Sequence, residues 1–131
     1  MIAVDTNVLI RLLADDDPAQ SLMARQFVEK NDIFLSLLSI VECEWVLRSG
    51  YRWQTDQIAD ALEALMLAPG VSVELADSAA WALARFRGGA DIADMMLLIA
   101  SRDTQAFASF DKRLAKQAGP NSPIPIKDLN G

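Results

Sequence analysis

The chain of 131 residues contains no histidine and a single cysteine, Cys43. The absence of histidine excludes Ser-His-Asp and Cys-His nucleophilic sites, imidazole general bases and His-ligated zinc, copper or iron centres. One cysteine forms neither an internal disulfide nor a thiolate zinc cluster. Any chemistry must therefore use carboxylates, hydroxyls, amides and basic side chains.

Long apolar runs are also missing, although 52% of the residues are hydrophobic. No run approaches the ~20 residues that a membrane span needs. The first residues have no basic region and reach Asp5 too early for a signal peptide. These features predict a cytoplasmic protein without membrane attachment. The length fits one domain, residues 1–131, with a core that needs no disulfides.

Acidic residues are in excess, with 18 Asp and Glu against 12 Lys and Arg and a net charge of −6. Clustered carboxylate oxygens favour hard cations such as Mg²⁺. If five of the acids formed one pocket, 13 of the 18 would remain against the 12 basic residues. Most of the net charge would then belong to that pocket rather than to the surface.

Short apolar segments alternate with amphipathic ones along the chain, which predicts an α/β fold. Strands are predicted at residues 2–4 (buried), 33–35, 71–75, 106–110 and 123–126, the last an edge strand because of its prolines. Helices are predicted between them, with one start at Pro18 and another capped by Ser39. The expected architecture is a three-layer α/β/α sandwich with a central, mainly parallel twisted sheet. In such sheets ligands bind beyond the carboxyl ends of the strands.

Two aspartates directly follow predicted strands. Asp5 follows Ile2-Ala3-Val4, and Asp111 follows Phe107-Ala108-Ser109-Phe110. Each aspartate on its own is explained equally well as a helix N-cap. The repetition of the pattern makes both residues candidates for a site at the carboxyl edge of the sheet.

Three further acids lie in apolar helices. Helical spacing predicts Glu42 on the apolar face and Glu44 away from it, although a glutamate at the helix edge that reaches solvent is the alternative. Asp91 and Asp94 are spaced i, i+3 in the first turn of another helix, where capping explains Asp91 better than it explains both. If all five acids converged, a divalent cation would relieve their repulsion.

Four segments taken in order resemble the PIN-domain ribonucleases, in particular the VapC toxins of bacterial toxin–antitoxin pairs. The similar segments are residues 1–11 with Asp5, 41–48 with Glu42, 89–100 with Asp91 and Asp94, and 109–114 with Asp111. Ser109 stands where the family usually has threonine, and Met95-Met96 replaces small residues. The first difference keeps a hydroxyl and the second concerns packing.

The resemblance implies a PIN fold and a Mg²⁺-dependent or Mn²⁺-dependent endoribonuclease that hydrolyses phosphodiester bonds. The implied catalytic residues are Asp5, Glu42, Asp94 and Asp111, and these four with Asp91 are the implied metal ligands. A metal held there would activate the attacking water. The resemblance also implies a homodimer, an RNA substrate, a cognate VapB-type antitoxin that blocks the site, and no direct DNA binding without that antitoxin.

Polar and basic residues beside the motifs are candidates for supporting roles. Those that would hold carboxylates or the scissile phosphate are Thr6, Asn7 and Ser109, with turn and capping roles as the alternative. Those that would bind RNA phosphates are Arg11, Arg48, Lys112 and Arg113, with Arg85 in a wider set. Ordinary solvated helix faces are the alternative for each basic residue.

Other functions fit the sequence less well. A receiver-type phospho-signalling domain needs adjacent acids after its first strand, and a haloacid-dehalogenase-type phosphatase needs an aspartate where Asn7 stands. A PIN module that binds RNA without cutting it is disfavoured by the complete set of acids. A housekeeping RNA-processing nuclease is the nearest alternative to a toxin.

Overall fold

The computed structural model describes residues 1–131, which form two compact units, Met1–Ala76 and Asp77–Gly131. All strand pairs in both units are parallel, and helices connect the paired strands. The predicted α/β class, with parallel strands, is therefore confirmed. No helix combines the length and apolar character that crossing a membrane requires.

The first unit is a three-stranded parallel sheet with four helices. Its elements are β1 (Ile2–Ala3), α1 (Thr6–Leu13), α2 (Pro18–Lys30), β2 (Ile33–Leu35), α3 (Leu37–Ser49), α4 (Thr55–Leu67) and β3 (Val71–Val73). The strand order is β1-β2-β3, and Ile33 pairs with Ile2 on one side and Val71 on the other. Because β1 and β2 are parallel neighbours, α1 and α3 both begin at the carboxyl edge of this sheet.

Local capping fixes where two of these helices begin. The Asp17 carboxylate accepts the Gln20 N–H at 3.1 Å, ahead of Pro18 at the first helical position, as the sequence predicts. The start of α3 differs from the prediction, because Ser36 is the cap and accepts the Ser39 N–H at 3.1 Å. Ser36 directly follows β2, so the strand passes into the helix with no intervening loop.

The apolar core of the first unit surrounds β2. Its fully buried side chains include Leu9, Ile33, Leu35, Ile40, Leu47, Ile58 and Leu62. The prediction that the first strand is buried is wrong, since Ile2 is 44% exposed and Ala3 is also exposed. β1 is an edge strand of this sheet and is paired on one side only.

The second unit pairs two parallel strands and carries three helices. Its elements are α5 (Ala76–Arg87), α6 (Ile92–Ala100), β4 (Phe107–Ser109), α7 (Leu114–Ala118) and β5 (Ile126–Asp128). The last strand begins at Ile126, later than the sequence predicts. Pro123 and Pro125 have no N–H to donate, and Pro125 takes part only by accepting the Phe107 N–H at 2.8 Å.

One arginine of α5 anchors the end of α7. The Arg85 guanidinium donates from Nε to the Gln117 carbonyl at 2.7 Å and from Nη2 to the Lys116 carbonyl at 3.2 Å. The last carbonyls of a helix have no partners within that helix, so Arg85 satisfies two of them. Arg85 therefore has a structural role in this unit, and its predicted contact with RNA stays a prediction.

Candidate active site

Asp5 lies at the junction of β1 and α1, as the sequence predicts. It occupies the N-cap position of α1, but its side chain makes no capping hydrogen bond and is exposed. The first turn of α1 contains no other acid. The Asp5 side chain therefore does not cap α1, and its carboxylate is available to bind a ligand.

Glu42 is tied to the start of α1 by a short hydrogen bond. The Thr6 hydroxyl donates to Glu42 Oε2 at 2.6 Å, and Thr6 is buried, with 7% of its surface exposed. Because Thr6 directly follows Asp5, this bond brings the Glu42 carboxylate to the β1–α1 junction. The Thr6 hydroxyl therefore contacts a carboxylate in this structure, and its supporting role in a site stays a prediction.

The placement of the two glutamates of α3 is the reverse of the prediction. Glu42 is exposed, whereas Glu44 is buried, with 5% of its surface exposed. The buried face of α3 carries Ile40, Cys43 and Leu47, and Glu44 falls beside them. Arg48 Nε donates to Glu44 Oε2 at 2.7 Å, which pairs the buried charge. Arg48 is therefore engaged by Glu44, and its predicted contact with RNA is not supported by this arrangement.

The single cysteine, Cys43, lies next to Glu42 in sequence, and its buried thiol is unreactive. Burial raises the pKa of Cys43 to about 12, with the charge of Glu42 adding to the effect. The thiol is therefore protonated at neutral pH and is no nucleophile. This agrees with the exclusion of thiolate chemistry on composition.

Arg11 is held by the loop between α1 and α2. Its Nη1 lies 2.9 Å from Asp16 Oδ1, and its Nε donates to Gln20 Oε1 at 2.7 Å. The Tyr51 hydroxyl donates to the other Asp16 oxygen at 2.6 Å, and this bond is the main reason that the pKa of Asp16 is lowered. Two of the five N–H donors of Arg11 are therefore used within the unit.

A cavity of about 420 Å³ lies beside Asp5 in the first unit. Asn7 and Arg11 supply polar wall, and Met23 and Phe27 supply apolar wall. Its volume falls within the range of small-molecule sites. The predicted polar residue Asn7 thus shares a concave surface with the predicted catalytic carboxylate.

In the second unit, Asp94 lies in the electrostatic field of two other carboxylates, Asp91 and Asp111. Asp91 caps α6, since its Oδ1 accepts the Asp94 N–H at 2.9 Å, and the capping explanation is confirmed for Asp91. The pKa of Asp94 is raised, first by burial and then by the negative charges of Asp91 and Asp111, with Arg113 opposing the shift. The ionised form of Asp94 is therefore disfavoured by its surroundings.

The turn after β4 fixes Asp111. Its N–H donates to the Ser109 hydroxyl at 2.9 Å, and its Oδ1 accepts the Arg113 N–H at 2.9 Å. Arg113 Nε lies 3.7 Å from the same oxygen. The side chains of Lys112 and Arg113 are both exposed. Ser109 thus holds the backbone of the turn, which is the turn role that the sequence analysis gives as the alternative to holding a carboxylate or a phosphate.

The donor set suits a hard divalent cation. No three Asp, Glu, His or Cys side chains are gathered closely enough to hold a metal ion unaided. All the candidate donors are nevertheless carboxylate oxygens, the ligands that Mg²⁺ and Mn²⁺ prefer. Burial raises the pKa of Asp94, and the charges of Asp91 and Asp111 add a repulsion that a cation would relieve.

Comparison with known families identifies the chain. The PIN domain profile matches residues 2–120, a range that includes every predicted site residue. The chain belongs to the PIN domain family. No curated protein matches it significantly. The PIN fold is thus confirmed, and it is a nuclease fold whose members typically use divalent metals.

Two interactions in this PIN domain escaped prediction for different reasons. The Glu44–Arg48 pair has the i, i+4 spacing that favours ion pairs on a helix, so the sequence contained a sign of it. The bond from Tyr51 to Asp16 joins residues 35 positions apart, and no local pattern indicates it. The Glu44–Arg48 pair is thus indicated by local spacing, whereas the Tyr51–Asp16 bond depends on tertiary structure.

Replacing Thr6 by valine is expected to lower nuclease activity roughly 10- to 100-fold, the usual cost of losing a partner that orients a metal-binding carboxylate. Valine keeps the shape but loses the hydroxyl that donates to Glu42. The measurement is cleavage rate against Mg²⁺ concentration, and the variant should need more metal. Thr6→Ser keeps the hydroxyl and is the matched control. Equal activity in all three proteins would show that the bond is only structural.

Proposed function

We propose that this PIN domain is a Mg²⁺-dependent endoribonuclease that acts as a VapC-type toxin and is inhibited by a cognate VapB-type antitoxin. The observation that carries the nuclease part is the position of Asp94 beside Asp91, whose Oδ1 accepts the Asp94 N–H at 2.9 Å. Burial raises the pKa of Asp94, and the charges of Asp91 and Asp111 add to that effect. A bound cation would relieve this repulsion and favour the ionised form of Asp94.

The proposed ligands of the metal are Asp5, Glu42, Asp91, Asp94 and Asp111, with Mn²⁺ as a substitute for Mg²⁺. A bound ion supplies a more acidic water and stabilises charge on the reacting phosphate. The protein contributes orientation, since Thr6 holds the Glu42 carboxylate and the Ser109 hydroxyl holds the turn at Asp111. Such chemistry needs no imidazole base, in keeping with the absence of histidine.

RNA as the substrate is supported by the exposed cations beside Asp111. Lys112 and Arg113 follow it directly, and 81% of the Arg113 side chain is exposed. Cationic side chains bind the phosphate backbone independently of sequence. Of the four basic residues predicted to bind RNA, these two are best placed to reach a phosphate close to a proposed catalytic carboxylate.

A protein partner is supported by apolar side chains on the surface of α2. Leu22 is 50% exposed and Met23 is 59% exposed, in adjacent positions. Exposed apolar patches mark interaction sites in many soluble proteins. A second copy of the chain and the antitoxin are the partners that we propose, in the cytoplasm, where the toxin would act.

The decisive experiment is cleavage of labelled RNA by the purified, antitoxin-free protein. We expect internal cuts in Mg²⁺ or Mn²⁺ and none after EDTA. The Asp94→Asn protein, purified identically, controls for contaminating ribonucleases. Intact RNA with both metals would contradict the proposal and favour a PIN module that binds without cutting.

The toxin role is tested separately by induced expression in bacteria. We expect wild type to arrest growth and a neighbouring antitoxin gene, expressed together with it, to restore growth. RNA cleavage in vitro without growth arrest would instead favour the housekeeping RNA-processing nuclease.

Adding Mg²⁺ to the metal-free protein is expected to raise its thermal midpoint, because a ligand that binds only the folded state stabilises it. Saturation at 100 times the dissociation constant would add about 2.7 kcal/mol to the free energy of unfolding. The measurement is a thermal melt with and without Mg²⁺, reversed by EDTA. Sodium chloride at equal ionic strength controls for general screening of the acidic chain. Equal midpoints in both salts would contradict a specific metal site.

A further inference from the structure

Phe110 is a large aromatic side chain that the second unit leaves in solvent. It lies between Ser109 at the end of β4 and the proposed catalytic Asp111, and 72% of its surface is exposed. Burying an apolar ring is favourable, so an exposed ring of this size leaves that stabilisation unused in the free protein. The other aromatic side chains of this unit, Trp81, Phe86 and Phe107, are buried or half-buried.

The backbone that carries Phe110 is held firmly from both sides. Its carbonyl accepts a hydrogen bond from the Asn130 side chain at 2.7 Å, and Asn130 in turn donates to Asp128 Oδ1 at 2.8 Å. The Leu129 N–H donates to the Ser109 carbonyl at 2.9 Å. Polar contacts therefore hold the chain at Phe110, while the ring itself has no apolar enclosure.

The positive charges near Phe110 indicate what kind of partner could cover its ring. Lys112 and Arg113 are exposed within three residues of Phe110. A protein partner that covered Phe110 would have to desolvate Lys112, and lysine is depleted at protein interfaces. A nucleic acid strand offers phosphates for the cations and a flat base for the ring at the same time.

We propose that Phe110 stacks on a base of single-stranded RNA next to the phosphate that is cut. Recognition of single strands relies on aromatic side chains that stack on unpaired bases beside cations that follow the backbone. Leu129, which is 44% exposed and begins the segment after β5, extends the apolar edge. The inference rests on the proposed function, and it names the feature of the substrate that the turn at Asp111 recognises.

The test compares three replacements of Phe110 in binding and in cleavage. Binding of labelled single-stranded RNA is measured by anisotropy on an Asp5→Asn background, which keeps the RNA intact. Phe110→Trp keeps a stacking face and should bind within about twofold of the parent. Phe110→Leu keeps apolar bulk without the ring, and Phe110→Ala loses both. Leucine and alanine should each weaken binding roughly 5- to 100-fold, the range reported by alanine substitution of base-stacking residues.

Three results would distinguish base stacking from the alternatives. Equal RNA affinity for the leucine variant and the parent would overturn base stacking. A change in oligomer mass for Phe110→Leu, with RNA affinity unchanged, would overturn it in favour of a contact between copies. If aromatic and aliphatic variants differ in binding but the wild type cuts no RNA, the stacking role stands and the proposed nuclease activity fails.

Discussion

Asp94→Asn is expected to reduce RNA cleavage at least about 1,000-fold and to raise the thermal midpoint at neutral pH. The loss of activity follows because asparagine keeps the shape of a proposed metal ligand but removes its charge, and metal stabilisation of the reacting phosphate amounts to several kcal/mol. The gain in stability follows because the ionised Asp94 is disfavoured by burial and by Asp91 and Asp111. Opposite effects on activity and stability mark a residue kept for function.

The stabilisation should depend on pH in a defined direction. The pKa of Asp94 is raised above its ordinary value of 3.8 in the folded protein. Below pH 3.8 the Asp94 carboxyl is protonated in the folded and in the unfolded protein, so no ionised Asp94 destabilises the fold. As pH rises through the raised pKa, the folded protein must release a proton that the unfolded chain has already lost, and the free energy of unfolding falls. The midpoints of wild type and Asp94→Asn should therefore converge in acid and separate towards neutral pH.

The control removes the same charge elsewhere in the unit. Asp103 is exposed, outside every motif that resembles the family, and Asp103→Asn should change neither the cleavage rate nor the pH dependence of the midpoint. Thermal melts from acid to neutral pH and initial cleavage rates provide both measurements. If Asp94→Asn cut RNA as fast as wild type, the proposed role of this carboxylate would be wrong.

The positions of the first four strands, and of the aspartates that follow two of them, were predictable because they depend on local patterns. A short apolar run that ends in Asp5 or Asp111 specifies a strand and its carboxyl end without reference to the rest of the chain. The start of α2 at Asp17 and Pro18 is equally local, since cap and first residue are adjacent. These features agree in sequence and structure because each is decided within a few residues.

Local patterns did not predict which side chains of α3 are buried. Leu38 and Trp45 are 66% and 60% exposed although both are strongly apolar, while Glu44 is buried. An apolar side chain contributes to the periodic pattern whether it faces the core or solvent, so the pattern alone misplaced Glu42 and Glu44. The compensating partner, Arg48, decides which acid can be buried, and that is an energetic property of the pair.

Gly119→Ala is expected to lower the free energy of unfolding by about 2–4 kcal/mol, combining backbone strain of about 1–3 kcal/mol with weakened hydrogen bonds. Gly119 has φ 75° and ψ −170°, a conformation that is essentially restricted to glycine. A Cβ added there would lie 3.0 Å from Cζ of Arg85 and 3.1 Å from both terminal nitrogens. The guanidinium would have to shift by a few tenths of an ångström, which would weaken its hydrogen bonds to the carbonyls of Lys116 and Gln117.

Gly88→Ala is the matched control for that substitution. Its Cβ would meet nothing closer than the Arg85 carbonyl oxygen at 3.5 Å, an ordinary contact, so the stability should change little. Urea denaturation of both variants, with Arg85→Ala and the Gly119→Ala/Arg85→Ala double variant, separates the two contributions through a double-mutant cycle. If the clash matters, Gly119→Ala should cost less in the absence of the Arg85 side chain. An undiminished cost would assign the whole effect to the backbone at Gly119.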